Sequence, residues 1–378
     1  MATINDNDQG HTLNGTGGFD EIRANGGDDV ILAKGGADRV YGGAGNDEIH
    51  GDGGDDFAMG GSGADSIDGG VGRDVVAYGD SGSAVSVDLA SGIGIGGTAA
   101  GDRLAGIEDV IGSGYNDQLF GDDVANLAIA GAGNDQVEGR GGDDRLYGQG
   151  GTDTVVGGNG DDVLVGGANG DRHYGGAGFD TASFAGAAAG VLLDLASGQK
   201  TGDAAGDTYI GIERYQGSGY GDTFRAAAGG SDMDGADGND LLFGSAAVDE
   251  LGGGNGADLV EGGGGADHMS GGDGADSFVF QSLADSGIAT ADRDIIFDFS
   301  HAEGDRIDLG GIDARPASAA DNAFTFIGSD GFSAAGQVRF THVGGSTVIE
   351  LNTEGGSGAE MKITLAGVIE LHAADFHL

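Results

Sequence analysis

Large apolar residues recur along most of the chain with a period of nine, and each follows an aspartate by two positions. In residues 42–50 (GGAGNDEIH) the aspartate is Asp47 and the apolar residue is Ile49, and residues 60–68 (GGSGADSID) repeat the pattern. The unit reads G-G-x-G-x-D-x-U-x, where U is large and apolar. Its last three residues suffice for one short strand with a single inward side chain. Two units therefore make one coil of 18 residues, and stacked coils make a solenoid.

The units form three arrays that divide the chain into segments. Over 22 units the sixth position is Asp in all but two, which carry Asn126 and Ser231, and the eighth is large and apolar in 18. We expect a lead-in at 1–14, arrays of seven, eight and seven repeats at 15–77, 112–183 and 217–279, connectors at 78–111 and 184–216, and a C-terminal β domain at 280–378 that caps the solenoid.

The sixth-position aspartates are the candidate metal ligands. Glycines at positions one, two and four allow positive φ and bring carbonyl oxygens close together. Carbonyl and carboxylate oxygens suit Ca²⁺, whereas Mg²⁺ prefers a stricter octahedron and Zn²⁺ prefers His or Cys. The candidate ligands are Asp20, Asp29, Asp38, Asp47, Asp56, Asp65, Asp74, Asp117, Asp135, Asp144, Asp153, Asp162, Asp171, Asp180, Asp222, Asp240, Asp249, Asp258, Asp267 and Asp276.

Composition narrows the class of protein. The chain has 378 residues, 86 of them Gly, with one Pro, no Cys and a formal charge of -47. Collagen, a disulfide scaffold and thiolate metal sites are excluded, and the charge disfavours nucleic acid and anionic membranes while implying cations as partners. No apolar stretch is long enough to span a membrane, and residues 1–30 lack the features of a secretory signal peptide.

These repeats resemble the RTX, or haemolysin-type, proteins over residues 15–279. The resemblance implies an all-β fold, a parallel β-roll with Ca²⁺ ions between successive turns. Residues 271–314, with GGDGADSFVF, RDIIFDF and GDRIDLGGIDA, resemble the C-terminal domain of serralysin-type secreted metalloproteases. The likeness continues through residues 324–376. Nine of the 16 Phe lie between Phe278 and Phe376, which indicates an ordinary aromatic core there.

The two connectors look duplicated. Residues 87–117, with VDLASG, GIEDV and GSGYND, correspond to residues 193–222, with LDLASG, GIERY and GSGYGD. Alternating apolar and polar residues at 85–89 predict a half-buried strand, so we expect solenoid coils without metal. The scattered connector aspartates are expected to be solvated or capping residues: Asp88, Asp102, Asp109, Asp194, Asp203 and Asp207.

A search for catalytic motifs predicts no enzyme. None of the eight His forms the helical pair of a serralysin-like zinc site, and G-x-S-x-G and cysteine nucleophiles are absent from the sequence. Neighbouring carboxylates are expected in a metal-binding array without being a glycosidase pair. We interpret His173, which replaces a core residue, as a tolerated substitution at the rim of the solenoid.

We therefore expect a secreted, extracellular Ca²⁺-binding protein that folds on roughly 8 to 16 ions and acts as a structural, adhesive or matrix module. Type I secretion machinery is the expected export partner, because RTX proteins typically use this route with an uncleaved C-terminal signal. The chain ends Asp375-Phe376-His377-Leu378, a departure from the usual hydrophobic trio. The alternative is a non-catalytic accessory module of a polysaccharide-acting or proteolytic system, with extracellular polysaccharide or a cell surface as partner.

Overall fold

The computed structural model describes residues 2–7, 9–317 and 322–378. The chain divides into two compact units, residues 1–182 with 203–212 and residues 183–202 with 213–378. Both units are all-β over the residues that the structure describes. The helices among the described residues are single 3₁₀ turns, at Gly97–Ala99, Gly202–Ala204, Thr290–Asp292 and Ala373–Asp375. None of them is long or apolar enough to cross a membrane.

The first unit is built from short strands, most of them centred on the eighth position of a repeat. They are β1 (Ala2–Asn5), β2 (Thr12–Asn14), β3 (Asp20–Arg23), β4 (Val30–Leu32), β5 (Arg39–Ala44), β6 (Glu48–His50), β7 (Phe57–Ser62), β8 (Ser66–Asp68), β9 (Val75–Ala77), β10 (Ser86–Asp88), β11 (Ile93–Ile95), β12 (Arg103–Ala105), β13 (Asp109–Ile111), β14 (Gln118–Phe120), β15 (Leu127–Ala132), β16 (Gln136–Gly141), β17 (Arg145–Gly150), β18 (Thr154–Asn159), β19 (Val163–Ala168), β20 (Arg172–Ala177), β21 (Thr181–Ser183), which ends one residue beyond the unit, and, after β22 and β23 of the second unit, β24 (Thr208–Ile210).

These strands form two parallel sheets, because alternate nonapeptides lie on opposite sides of the coil. One sheet runs β1-β3-β5-β7-β9-β13-β15-β17-β19-β21, and the other runs β2-β4-β6-β8-β12-β11-β10-β14-β16-β18-β20-β24. Paired residues in the arrays are 18 apart, as for Ile49 and Ile67. The expected coil of two nonapeptides is therefore present. The lead-in strands β1 and β2 already pair in this register with β3 and β4.

The first connector remains part of the solenoid but breaks its parallel pattern. Strands β12 and β10 pair in parallel with β8 and β14, as a coil would. Strand β11 lies between them and is antiparallel to both. The chain thus inserts one reversed strand into an otherwise parallel sheet.

The second unit continues the same design into the C-terminal segment. Its strands are β22 (Leu192–Asp194), β23 (Lys200–Thr201), β25 (Arg214–Gln216), β26 (Thr223–Arg225), β27 (Asp232–Asp234), β28 (Leu241–Phe243), β29 (Glu250–Asn255), β30 (Leu259–Glu261), β31 (His268–Asp273), β32 (Ser277–Val279), β33 (Ile295–Ile296), β34 (Arg306–Asp308), β35 (Thr325–Phe326), β36 (Gln337–Val343), β37 (Ser346–Asn352), β38 (Met361–Leu365) and β39 (Phe376–His377).

The two sheets of this unit run β25-β27-β29-β31-β33-β38-β37-β36-β35 and β23-β22-β26-β28-β30-β32-β34-β39. Pairing stays parallel through β33–β38 and β34–β39, so segments beyond the last repeat complete further coils. Antiparallel pairs also occur in this unit, β22–β23 at one end and β36–β37 and β37–β38 in the C-terminal segment. The predicted all-β parallel solenoid is confirmed.

The core of each unit is the stack of eighth-position side chains. All 22 are buried, including the small or polar ones, Ala58, Ala128, His173 and Ala182. Each coil therefore buries about two such side chains, which is little apolar area for 18 residues. At roughly 25 cal/mol per Å² this burial offsets only part of the cost of ordering a glycine-rich backbone.

Candidate calcium sites

The sixth-position aspartates form a hydrogen-bonded ladder between coils. One carboxylate oxygen, Oδ1, accepts the backbone amide of the aspartate one coil earlier, as in Asp29 N to Asp47 Oδ1 at 2.9 Å and Asp47 N to Asp65 Oδ1 at 2.9 Å. The same bond recurs in every array, with donors that include Asp20, Asp38, Asp117, Asp135, Asp144, Asp153, Asp162, Asp222, Asp240, Asp249 and Asp258. All 20 predicted aspartates are buried.

The other carboxylate oxygen, Oδ2, has no hydrogen-bond partner among the described residues in most units. We call these open units. A buried carboxylate oxygen without a donor is costly unless a cation compensates it, which makes these aspartates the candidate ligands. The aspartates of the open units are Asp29, Asp38, Asp47, Asp56, Asp65, Asp74, Asp135, Asp144, Asp153, Asp162, Asp171, Asp240, Asp258, Asp267 and Asp276.

Four units satisfy Oδ2 from within, and we call these closed units. Their aspartates are Asp20, Asp117, Asp222 and Asp249, and in each the Oδ2 accepts the backbone amide of the residue four positions earlier. For Asp249 that residue is Ser245, whose amide lies 2.7 Å away and whose hydroxyl lies 3.0 Å away. These carboxylates are already hydrogen-bonded without metal.

Open and closed units differ in the backbone of the second position. In all 15 open units that residue has positive φ, and six of the 15 are not glycine, with φ between 66° and 80°: Asn25, Lys34, Asp52, Arg140, Gln149 and Ala236. In the closed units the second residue is Thr16, Ser113, Ser218 or Ser245, and none of these has positive φ. The conformation of one residue therefore decides whether its aspartate keeps an unbonded oxygen.

The glycines at positions one and two sit against oxygen atoms. A Cβ on Gly42 would overlap Asp47 Oδ2 and the carbonyl oxygen of Gly60 one coil later, and a Cβ on Gly43 would overlap the carbonyl oxygen of Asn25. The absent side chains leave room where carboxylate and carbonyl oxygens converge. This all-oxygen donor set, with one anionic oxygen per open unit, fits Ca²⁺.

Burial dominates the titration of these carboxylates in the metal-free protein. Loss of solvation, together with repulsion from neighbouring carboxylates, raises the pKa of Asp47 to about 6 and of Asp56 to about 7. Among the closed units the direction varies: the pKa of Asp20 is lowered chiefly by the backbone amide of Thr16, whereas burial raises the pKa of Asp222 and of Asp249. A cation beside these carboxylates would favour their ionised form and lower these pKa values.

A second ladder, which the sequence analysis did not predict, runs through position five. There the side-chain oxygen of an Asn or Asp accepts the amide of the residue one coil later, as in Asn46 N to Asp28 Oδ1 at 2.7 Å and Ala64 N to Asn46 Oδ1 at 2.9 Å. The signal in the sequence is the recurrent pair Asn-Asp or Asp-Asp, as at 46–47 and 55–56. This ladder supports the loops that present the candidate ligands.

The prediction that Asp102 and Asp207 are solvated or capping residues is wrong. Both are buried, and Oδ1 of each accepts the amide of a repeat aspartate, Asp65 for Asp102 and Asp171 for Asp207. Their Oδ2 atoms face tyrosine hydroxyls, Tyr78 at 3.2 Å and Tyr209 at 2.9 Å. In the connectors a tyrosine hydroxyl thus donates a hydrogen bond to the Oδ2 atom, which has no partner in the open units.

Asp109 also differs from expectation, whereas Asp88 agrees with it, because its Oδ1 accepts the amide of Ser91. Asp109 is buried and bonds Arg73 through two contacts of 2.8 Å, whereas Asp88 is partly exposed and pairs with Arg140 at 2.8 Å.

His173, in the second array, does not lie at the rim of the solenoid. Its side chain is 2% exposed and stacks on Tyr209 with ring centroids 5.0 Å apart.

The ladder extends beyond the last predicted repeat. The amide of Asp267 donates to Asp294 Oδ1 at 3.0 Å, and the amide of Asp276 donates to Asp305 Oδ1 at 3.1 Å. Asp294 Oδ2 has no partner among the described residues, and burial raises the pKa of Asp294 to about 8. The sequence period did not predict Asp294 and Asp305, because they follow Asp267 and Asp276 by 27 and 29 residues rather than by 18.

Two family models agree with this architecture. A family model described as Peptidase M10 serralysin C terminal matches residues 150–378, and the RTX calcium-binding nonapeptide repeat (4 copies) matches residues 12–40, 50–82 and 120–155. No curated protein matches the chain. Among solved structures, the solution structure of the AlgE6R3 subunit from the Azotobacter vinelandii mannuronan C5-epimerase matches at 26% identity, covering 42% of this chain and 78% of that one, with a TM-score of 0.26.

The serralysin match begins within the second array and therefore includes repeats as well as the C-terminal segment. It spans more than half of the chain, and the repeat matches fall mainly in the first two arrays, with short extensions into the lead-in and the first connector. The resemblance noted in the sequence is confirmed, and the chain belongs to the family of proteins that carry a serralysin C-terminal domain joined to RTX calcium-binding repeats.

Proposed function

We propose that this protein is a secreted structural module whose arrays fold when extracellular Ca²⁺ fills the open units. The observation that carries the proposal is the buried Oδ2 without a partner, repeated once in each of 15 units. A Ca²⁺ ion there supplies the positive charge that compensates the buried, negatively charged carboxylates. Because two core side chains per coil bury little area, metal binding contributes much of the folding free energy.

The same metal dependence gives a physical reason for export before folding. In a cytosol with little Ca²⁺, self-repulsion at a formal charge of -47 keeps the chain extended. Outside the cell, Ca²⁺ folds the arrays by mass action and opposes their return. We therefore propose type I secretion machinery as the export partner and an extracellular structural, adhesive or matrix role that needs no catalysis.

Folding is tested by titrating Ca²⁺ into the chelated full chain while recording far-UV circular dichroism. We expect an unordered spectrum in chelator and a steep, cooperative gain of β signal, because each coil templates its neighbour. A complete β spectrum in excess chelator would overturn the proposal.

Export is tested separately, by expressing the chain with a type I exporter with and without residues 320–378 and measuring protein in the medium. Equal yield of both forms in the medium would rule out a secretion signal in residues 320–378.

A groove on the first unit favours a second candidate function, that of a non-catalytic polysaccharide-binding accessory module. It has a volume of about 540 Å³ and is lined by amide and hydroxyl side chains at 18-residue intervals: Asn116, Asn134, Gln118, Gln136, Thr152 and Thr154. Such groups hydrogen-bond sugar hydroxyls and would repeat once per coil. Glycan-array binding that needs Ca²⁺ and is lost in Gln136→Ala would favour this function over a purely structural one.

A further inference from the structure

Two histidines and one buried aspartate meet in the second unit, outside the nonapeptide repeats. His301 Nδ1 lies 2.8 Å from Asp375 Oδ1, and His372 Nδ1 lies 3.8 Å from Asp375 Oδ2. The two imidazole rings are 5.4 Å apart between centroids. One ligand atom from each residue lies within 4.8 Å of the others.

The carboxylate of this cluster is held in place by its surroundings. Asp375 is 6% exposed, and its Oδ2 accepts the backbone amide of His372 at 2.5 Å across the 3₁₀ turn. The next residue, Phe376, pairs with Ile307 in the sheet, and His301 packs edge-on against Phe299. The three ligands thus come from two segments that the sheet and its core fix relative to one another.

The imidazoles are accessible from solvent. The His301 side chain is 37% exposed and the His372 side chain is 71% exposed. An ion can therefore reach the cluster without opening the fold, while the buried carboxylate provides a preorganised anionic ligand.

We propose that His301, His372 and Asp375 form a site for a divalent transition metal, of which Zn²⁺ is the best match. Two imidazole nitrogens and one carboxylate are a borderline donor set that Zn²⁺ accepts, with the fourth tetrahedral position left to water. Tetrahedral Zn²⁺ separates its ligand atoms by about 3.3 Å. The 2.8 and 3.8 Å separations lie on either side of this value, so small side-chain rotations suffice. Ca²⁺, which takes six to eight oxygens, does not suit the cluster.

Such an ion would join residues 372–375 to residue 301 and close a loop of about 70 residues, which stabilises the fold by constraining the unfolded chain. It would hold β39 against β34 independently of Ca²⁺ in the repeats. The chain would then use two metals of different chemistry.

The test uses the full chain in saturating Ca²⁺, with Co²⁺ as a spectroscopic probe and Zn²⁺ as competitor. His11→Ala is included in every sample, because Asp6, His11 and Asp29 form another trio that could take the probe. We expect one tightly bound Co²⁺ with the intense visible absorption of a tetrahedral site, displaced by Zn²⁺. His301→Ala, His372→Ala and Asp375→Asn should each weaken binding by about tenfold or more.

His377→Ala is the matched control, because His377 is 68% exposed and pairs with Asp308 at 2.9 Å outside the cluster. This variant should bind Co²⁺ as the parent does. Circular dichroism in Ca²⁺ verifies that every variant is folded, and a variant that is unfolded is replaced by the Gln substitution at the same position. Absence of tetrahedral absorption, or equal affinity in the folded cluster variants and the control, would overturn the proposal.

Discussion

The backbone amide of Asp47 donates a hydrogen bond to Oδ1 of Asp65, 2.9 Å away and one coil further along the chain. Asp47 in turn accepts the amide of Asp29 at its own Oδ1. Each such aspartate therefore joins its coil to both neighbours and still keeps Oδ2 for a cation. One residue per nonapeptide thus supplies both the connection between coils and the oxygen on which the proposed Ca²⁺ binding depends.

Asp47→Ala should reduce the number of bound Ca²⁺ ions, whereas Asp249→Ala should leave it unchanged. Both substitutions remove the acceptor of a ladder amide, that of Asp29 or of Ser231, at a cost of about 1–3 kcal/mol, and Asp249→Ala also removes the acceptor of the Ser245 amide. Only Asp47 has an Oδ2 without a partner among the described residues. Equilibrium dialysis of both variants measures the difference. An equal loss of ions would contradict the distinction between open and closed units.

Gly43→Ala should destabilise the Ca²⁺-loaded protein, while Gly17→Ala should have little effect. Gly43 has a φ of 104°, and a Cβ there would overlap the carbonyl oxygen of Asn25. The conformational cost alone is about 1–2 kcal/mol, and the overlap adds to it. A Cβ on Gly17 meets no atom within 4 Å. Urea denaturation in Ca²⁺ compares the two variants, and equal midpoints would contradict the expected overlap at Gly43.

Acidification should stabilise the metal-free fold. The raised pKa values of Asp47 and Asp56, about 6 and about 7, mean that the folded state binds protons more tightly than the unfolded state. This stabilising contribution is complete below the unfolded pKa of about 3.9 and is lost as pH rises through about 6 and 7. In chelator, the β signal in circular dichroism should therefore grow as pH falls through this range. A signal independent of pH would contradict the burial of unsatisfied carboxylates.

Tyr78→Phe should destabilise the first connector by about 1–3 kcal/mol, because it leaves Asp102 Oδ2 buried without its hydroxyl donor. Tyr41→Phe is the control, since the Tyr41 ring packs against Phe57 and Arg23 while its hydroxyl makes no hydrogen bond within the described ranges. Hydrogen exchange of the amides around residue 102 reports local opening. Similar protection in both variants would rule out this role for Tyr78.

The nonapeptide period was sufficient to predict the parallel solenoid, its core and the ladder aspartates. It could not predict Asp102, because an inserted antiparallel strand places that residue 37 positions after Asp65 rather than 18. The glycine content of a unit also does not tell open units from closed ones. Lys34 belongs to an open unit and adopts positive φ at the second position, although it is not glycine. Ser or Thr at that position is the more useful signal, as Ser245 shows.

The ladder has a direction, since in each of these bonds the donor amide belongs to the coil that comes earlier in the chain. An amide is therefore satisfied only when its C-terminal neighbour is already in place. For the last repeats that neighbour is the C-terminal segment, where Asp294 and Asp305 receive the amides of Asp267 and Asp276. The C-terminal segment therefore terminates the ladder, and without it the amides of Asp267 and Asp276 would lose these acceptors.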